Sequence, residues 1–516
     1  MKNTFKKLTL SALAVFSLAS CDEQKLVDLN INKNAPTDVD MRYLLAYGQL
    51  RVAGSRYESW RTNLIYSSTM IQHNATLQGY WSGDKYYYNA QYSGAYWEAH
   101  FPNPIKNLTH VVDKTAGVPE MANIHAAAQI TRAFDLHRMT DIYGDIPYKQ
   151  AGRGLDGAEN WFPAYDAQSD IYSYLVADIK AARDEFSTSA LPLGEQDVLF
   201  QGDITKWKKF ANSLLMRIAM RMSNVDPSTA QAVFTEALAN GPIDGLESNA
   251  FLVQVLGNGG DTNYNGTSLV YSNAAGGGGD NNAKISKTFM DWMNTHNDPR
   301  KMIIVGGTGN PYDKSTWNTD PDAQKGLPNG YTSVTIKNVI PDFEDVHEYS
   351  FVNLDIIDLD DPTPFISHAE TEFMKAEAVL KGWISGDAET FFNNGIRAAM
   401  DSWSLFGVET PSTEAVDAYI AGLDFAGASD KLALIGEQYW AATYLNHIES
   451  WCNWRRTGYP VLTPTSDPNN VTGGTIPRRL RYYEDEVGSN PASYKAAVAR
   501  QGDDLLTTRV WWDGGK

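Results

Sequence analysis

Residues 364–402 read PFISHAETEFMKAEAVLKGWISGDAETFFNNGIRAAMDS, and their spacing decides the fold class. Ile366, Ala369, Phe373, Ala376, Leu380 and Trp383 recur three or four positions apart, which places them on one face of a helix. Gly382 and Gly386-Asp387 interrupt the pattern, and Phe391, Phe392, Ile396 and Ala399 restart it. Two short amphipathic helices joined by a glycine turn bury their apolar stripes only against each other and against further helices.

The same period recurs along the chain. Residues 121–139 carry Ile124, Ala127, Ala128, Thr131, Phe134 and His137/Arg138 on one face, and Tyr143 to Tyr148 (YGDIPY) stop that helix. Ile171, Leu175, Ile179 and Ala182 mark 168–184. Trp207, Phe210, Ala211, Leu214, Leu215, Ile218 and Met222 line 204–222, with Thr205 or Asp203 placed to cap its start. A last helical pair is expected over about 412–456. Small residues facing aromatics across a turn, with Ala-x3-Phe at Ala369 and Phe373, follow the packing logic of tetratricopeptide repeats. The expected class is therefore mainly α, with tetratricopeptide-like helix pairs. Residues 254–285 and 305–362 differ: they are rich in Gly, Asn, Pro, Asp and Thr, with short β-like runs such as Tyr331 to Ile336. A loop-rich insertion lobe over about 250–362 follows, and loops on a rigid frame are where binding surfaces sit.

The N-terminus has the order of an export signal. Lys2, Lys6 and Lys7 precede an apolar run from Leu8 to Ala19, and Leu18-Ala19-Ser20-Cys21 closes it. About a dozen apolar residues are too few to cross a hydrocarbon core of roughly 30 Å. Residues 1–20 read as a lipoprotein signal peptide, and Leu-Ala-Ser-Cys resembles the bacterial lipobox, which makes Cys21 the lipid attachment site. Residues 21–40 (CDEQKLVDLNINKNAPTDVD) read as a flexible tether, and 41–516 as a single domain. With Cys21 taken by lipid, Cys452 has no partner, so no disulfide framework holds the fold.

Net charge is −19 without any Lys/Arg-rich block, which excludes nucleic acid as a partner class. Such a surface should also repel sulfated or uronic polymers unless a local basic patch intervenes. The nine histidines make no H-E-x-x-H and no close pair, so no metal site is expected from them. Asp355 to Asp361 (DIIDLDD) could gather carboxylates around calcium, but it lacks the Gly and terminal Glu of an EF-hand loop and reads better as a solvated acidic turn. Gly276 to Gly279 lack the Lys-Ser/Thr of a phosphate cradle, and there is no G-x-S-x-G elbow. Glycosidase carboxylates have no fixed sequence spacing. No cofactor and no catalytic residue is expected.

Binding has a better signal. Aromatic residues make up 12% of the chain, with 14 Trp and 27 Tyr, and residues 57–97 concentrate them among Ser, Gly, Asn and Asp. Tyr92, Tyr96 and Trp97 fall at helical spacing and belong to a core. Gln78 to Asp84 (QGYWSGD) reads as a loop that sets Tyr80 and Trp81 in solvent, where rings can stack on a sugar or hold a peptide. Tyr264, Tyr271, Trp317 and Tyr331 in the insertion are second-rank candidates.

These features together resemble the SusD/RagB family of outer-membrane nutrient-binding lipoproteins, in its SusD-like branch. The resemblance runs through Asp28-Leu29-Asn30 to Thr37, Asp141 to Tyr148, Lys206-Trp207 through Leu214 to Arg217 and Arg221, and Asp298-Pro299-Arg300. It continues with Ala369 to Ala378, Trp454 to Pro460, Ile476 to Leu480 and Arg509 to Asp513. It implies a right-handed scaffold of helix pairs under a loop-rich ligand lobe, without enzymatic activity. It also implies a partner, a SusC-like TonB-dependent transporter, on which the lipoprotein acts as a lid delivering oligosaccharides or peptides. Asp22-Glu23 resemble the acidic signal that sends such lipoproteins to the cell surface, and Arg455-Arg456 are expected to anchor carboxylates or carbonyls. Two other readings stay open from the residues: a surface-tethered glycan-degrading enzyme, and a scaffold that binds only proteins.

Overall fold

In a computed structural model, residues 39–257, 263–272 and 283–515 are described. The segments read as signal peptide, lipid-attached Cys21 and tether as far as residue 38, and the Gly276–Gly279 run, lie outside the described residues. The longer α-helices are α1 Met41–Ala53, α2 Ala90–His100, α3 Lys106–Thr115, α4 Ala122–Tyr143, α5 Gln168–Glu185, α6 Ile204–Met222 and α7 Pro227–Ala239. They continue with α8 Lys287–His296, α9 His368–Leu380, α10 Ala388–Asp401, α11 Thr413–Leu423, α12 Lys431–Ala442, α13 His447–Thr457 and α14 Pro491–Gln501. Helices adjacent in sequence pack on one another, α3 on α4, α4 on α5, α6 on α7 and α9 on α10. Met41–Lys516 forms one compact unit.

Local chemistry sets the limits of the α9–α10 pair. The Ser367 hydroxyl accepts the Glu370 N–H at 3.2 Å while Glu370 accepts the Ser367 N–H at 3.1 Å, a reciprocal cap. Ile366, expected on the helix stripe, is thereby excluded from α9 and ends a strand. Asp387 caps α10 by accepting the Glu389 and Thr390 amides. A Cβ at Gly395 would lie 2.5 Å from the Phe373 ring, so the close approach of the two helices depends on glycine there. Asp203, and not Thr205, caps α6. Helix α4 is buried over nearly all its length and stops at Gly144, whose φ of +86° favours glycine.

Buried charge holds the centre of the scaffold. Arg221 on α6 donates to Asp141 at 3.1 Å and to Glu449 at 2.6 Å, and Arg217 donates to Glu370 at 2.5 Å and to the Phe365 carbonyl at 2.7 Å. The Tyr439 hydroxyl lies 2.8 Å from both Glu370 and Glu449, and the Trp512 indole N–H donates to Asp141 at 2.8 Å. Burial raises the Glu370 pKa, whereas Arg217 and Arg221 overcome burial and bring Glu449 down to about 2. Arg455 donates to the carbonyls of Arg478 and Asp141, and Arg456 grips Glu377 with two nitrogens at 2.6 and 2.7 Å. Asp141, Arg217, Arg221, Glu370 and Trp512, from four of the segments carrying the resemblance, thus meet at one buried network, while Arg300 and Asp298 form a second one with Tyr419 and Gln438.

The insertion is built on short strands. A four-stranded sheet runs in the order β1 Asn74–Ala75, β3 Lys284–Ile285, β5 Phe351–Val352, β4 Val305–Gly307, all antiparallel. A separate pair joins β2 Ala250–Leu252 to β6 Thr363–Ile366. The lobe has its own small core of Ala75, Leu77, Leu327, Ile336 and Tyr349. The run Tyr331 to Ile336, read as β-like, instead forms a turn entering a 3-10 helix, Thr335–Asn338. Its threonines bond locally, the Thr332 hydroxyl accepting the Thr335 amide at 3.2 Å, which competes with a strand ladder.

Among the described residues, no helix is long and apolar enough to cross a membrane.

Candidate functional site

The aromatic segment starts from an unusual backbone. Ser55 and Glu58 cap a short helical turn, which runs into a ten-residue π-helix, Ser59–Ser68. Such widened turns are rare and concentrate at functional sites. Here Thr62, Leu64, Ile65 and Tyr66 are buried, and Trp60 and Arg61 stay partly exposed.

Trp60 meets Tyr80 edge to face, with ring centroids 6.3 Å apart and planes at 75°. Tyr80 is 39% exposed. The Arg56 guanidinium lies 4.9 Å from the Trp60 ring centroid, and that of Arg61 lies 5.1 Å from the same ring and 3.9 Å from Tyr57. The Tyr57 hydroxyl donates to Glu98 at 2.5 Å, and burial with Glu98 raises its pKa. Burial lowers the Arg61 pKa, with Arg56 adding to the effect.

This corner joins the insertion lobe through named contacts. Arg56 Nε donates to the Leu269 carbonyl at 3.3 Å and Asn63 to Thr267 at 3.4 Å. The Tyr312 hydroxyl donates to the Tyr271 carbonyl at 2.9 Å, and Tyr312 itself is 42% exposed. Tyr264, 37% exposed, lies three residues before Thr267. Trp317 is held on the 310–317 loop, its indole N–H donating to the Asn310 carbonyl at 2.8 Å and its ring 5.1 Å from Phe351.

Trp81 departs from expectation: it is fully buried, whereas the sequence reading set it in solvent beside Tyr80. The loop is drawn onto the π-helix, so tightly that a Cβ at Gly83 would sit 2.2 Å from the Ile65 carbonyl oxygen. Lys85 ties it internally, donating to Asp84 at 2.7 Å and to the Thr76 carbonyl at 2.8 Å in a fully buried pair. Tyr80 therefore presents a ring and Trp81 anchors the loop.

Tyr331 lines a cleft of about 470 Å³ together with Tyr349, Met290, Val339 and Ile340, with Lys287, Asp291 and Lys325 also lining it. Its neighbour Gly330 donates its amide to Asp84 at 3.1 Å, which couples this cleft to the base of the Tyr80 loop. Asp361, in the acidic turn, is largely buried and pushed up to about 7 by burial and by Asp358, Asp360 and Asp355. It accepts the Asp358 amide at 2.6 Å, so it closes its own turn. Among the described residues, no group of three or more His, Cys, Asp or Glu could hold a metal ion.

Sequence reasoning placed Trp60 only within the aromatic 57–97 stretch and did not single out Arg56 or Arg61 as candidates. The available signal was spacing: Arg56 and Trp60 are four apart, the distance at which side chains share a helix face.

Comparison with known proteins fits this architecture. A family model, SusD-like_2, described as "Starch-binding associating with outer membrane", matches residues 33–483. The chain belongs to this family. The SusD-like fold is shared with a solved chitin-binding protein, 29% identical, at a TM-score of 0.80 over 92% of this chain and 100% of that one. A Bacteroidetes SusD-like protein, AC2a, is 26% identical, also with a TM-score of 0.80 over 92% of this chain and 100% of its own. A chitin-binding SusD homolog from Flavobacterium johnsoniae, 22% identical, shows the same SusD-like fold at a TM-score of 0.75 over 92% and 98% of the two chains. No curated protein matches the chain by sequence.

Proposed function

We propose that this SusD-like chain is a non-catalytic lipoprotein of the outer membrane that captures oligosaccharides at the cell surface and passes them to a SusC-like TonB-dependent transporter. The observation that carries the reading is the Trp60–Tyr80 corner, an edge-to-face aromatic pair in which Trp60 on the π-helix is partly exposed and Tyr80 is 39% exposed. Rings of this kind stack on sugar faces, and neighbouring amides and guanidiniums take the hydroxyl hydrogen bonds. Two of the similar solved proteins are described as chitin-binding, and the family is described as starch-binding. Anchoring rests on Cys21, which follows an apolar run and small residues.

The test is binding of chitotetraose and maltotetraose to the purified full chain by calorimetry, with Tyr80→Ala as the probe. Loss of one stacking ring is expected to weaken the bound sugar about tenfold while the melting temperature holds. An unchanged affinity removes this corner from the site. Release of new reducing ends during incubation would replace the binding reading with an enzymatic one. For the anchor, Cys21→Ala protein is expected to leave the membrane fraction. Retention there without a transporter overturns lipidation as the attachment.

A further inference from the structure

The two arginines at the aromatic corner are unusual for this chain. In a protein of net charge −19, most buried or half-buried guanidiniums face a carboxylate: Arg153, Arg183, Arg217, Arg221, Arg300 and Arg456 all do. Arg56 and Arg61 form no ion pair with any described residue, although both lie about 5 Å from one indole ring. Arg56 gives its Nε to the Leu269 carbonyl, and Arg61 gives one Nη to the Tyr57 carbonyl at 3.0 Å. Neither Nη of Arg56 nor the second Nη of Arg61 donates to a described residue, and the Arg61 Nε is buried without a partner among the described residues.

The nearest acid is already committed. Glu98 accepts from the Tyr57 hydroxyl and forms no ion pair with Arg61, although its charge acts on that guanidinium. Glu58 is buried, with its two oxygens on the Ser55 amide and hydroxyl. Among the described residues the corner therefore carries two cations, and its two carboxylates, Glu98 and Glu58, are held by other donors. Placing like charges around one ring is unfavourable until an anion lies between them. A guanidinium fork fits a carboxylate or sulfate with two parallel N–H bonds, which a neutral hydroxyl matches poorly.

We infer that the oligosaccharide bound at the Trp60–Tyr80 corner carries an acidic group, a uronate carboxylate or a sulfate, received by Arg56 and Arg61. The inference rests on the proposed binding reading and names its ligand class. The local patch answers the general repulsion that an acidic protein exerts on an acidic polymer.

The experiment compares tetragalacturonate and tetramannuronate with their methyl esters, which keep the backbone and remove the charge. Binding to the full chain is measured at about 20 mM and about 500 mM NaCl, with chitotetraose as a neutral reference. At least one acid is expected to bind about tenfold tighter than its ester at low salt, narrowing to about threefold or less at high salt. Arg56→Gln/Arg61→Gln should abolish that preference, so that acid and ester bind the variant within about twofold of each other. Equal affinity for acid and ester, or a preference that survives the double substitution, overturns the inference and leaves oligosaccharide capture standing. If neither the acids, the esters nor chitotetraose bind, the capture reading falls as well.

Discussion

Arg221 donates to Glu449 at 2.6 Å where neither side chain is more than 5% exposed. The pair links α6 to α13, and Asp141 and Tyr439 complete the hydrogen bonding. Removing one member of such a pair leaves a buried charge without its counterpart, which costs about 3–5 kcal/mol. Arg221→Met is expected to lose that amount in urea denaturation. Glu449, held at about 2 by the arginines, stabilises the fold above its unfolded value near pH 4.3. That contribution is lost as pH falls toward 2.

Lys284 makes the opposite case. It is 1% exposed in β3, its Nζ has no hydrogen-bond partner among the described residues, and burial lowers its pKa to about 8. The unfolded chain binds this proton more tightly, so folding stability rises as pH climbs from about 8 to about 10.4. Lys284→Met is expected to stabilise the protein by about 1–3 kcal/mol at neutral pH. The gain should shrink across that window in thermal melts at increasing pH.

Trp81 and Tyr80 should separate cleanly. Trp81→Ala empties a fully buried site and is expected to cost about 3–5 kcal/mol in chemical denaturation. Tyr80→Ala, at an exposed ring, should leave the denaturation midpoint in place and act on ligand affinity alone. Comparable destabilisation by both substitutions would contradict the burial difference.

His73 and His447 face each other with Nδ1 atoms 2.9 Å apart, and His73 Nε2 lies 3.0 Å from the Trp440 carbonyl. A carbonyl only accepts, so His73 carries its proton on Nε2, and His447 donates from Nδ1. The structure predicts these two tautomers in ¹⁵N spectra of the ring nitrogens. Burial lowers His447 to about 3 and His73 well below its ordinary value. The unfolded chain then takes up protons that the folded one refuses, so stability falls as pH drops from about 6.5 toward 3. His447→Phe should flatten part of that acid limb.

The helix pairs were legible because their apolar spacing is local. Ala369, Phe373 and Ala376 sit on α9 as the period requires, and the boundary error at Ile366 traces to the unread Ser367–Glu370 cap. The site was less legible because exposure is set by partners distant in sequence. Tyr80 and Trp81 are adjacent and equally aromatic, yet Trp81 is fully buried and Tyr80 is 39% exposed. Arg56 and Arg61 gain their meaning only from what does not pair with them. The turn at Tyr331 was misread because threonine favours strands on average but here bonds to its own backbone neighbours.

Asn74 and Ala75 pair with Ile285 and Lys284, so the lobe's sheet borrows a strand from the N-terminal part of the chain. The lobe is consequently not an exchangeable cassette. A chimera that swapped residues 250–366 between relatives would set the donor's β3 against the recipient's 74–75 strand and its core against the recipient's Ala75 and Leu77 positions. Residues 74–77 therefore belong with the lobe, and an exchange that carries them along keeps its sheet and its small core matched.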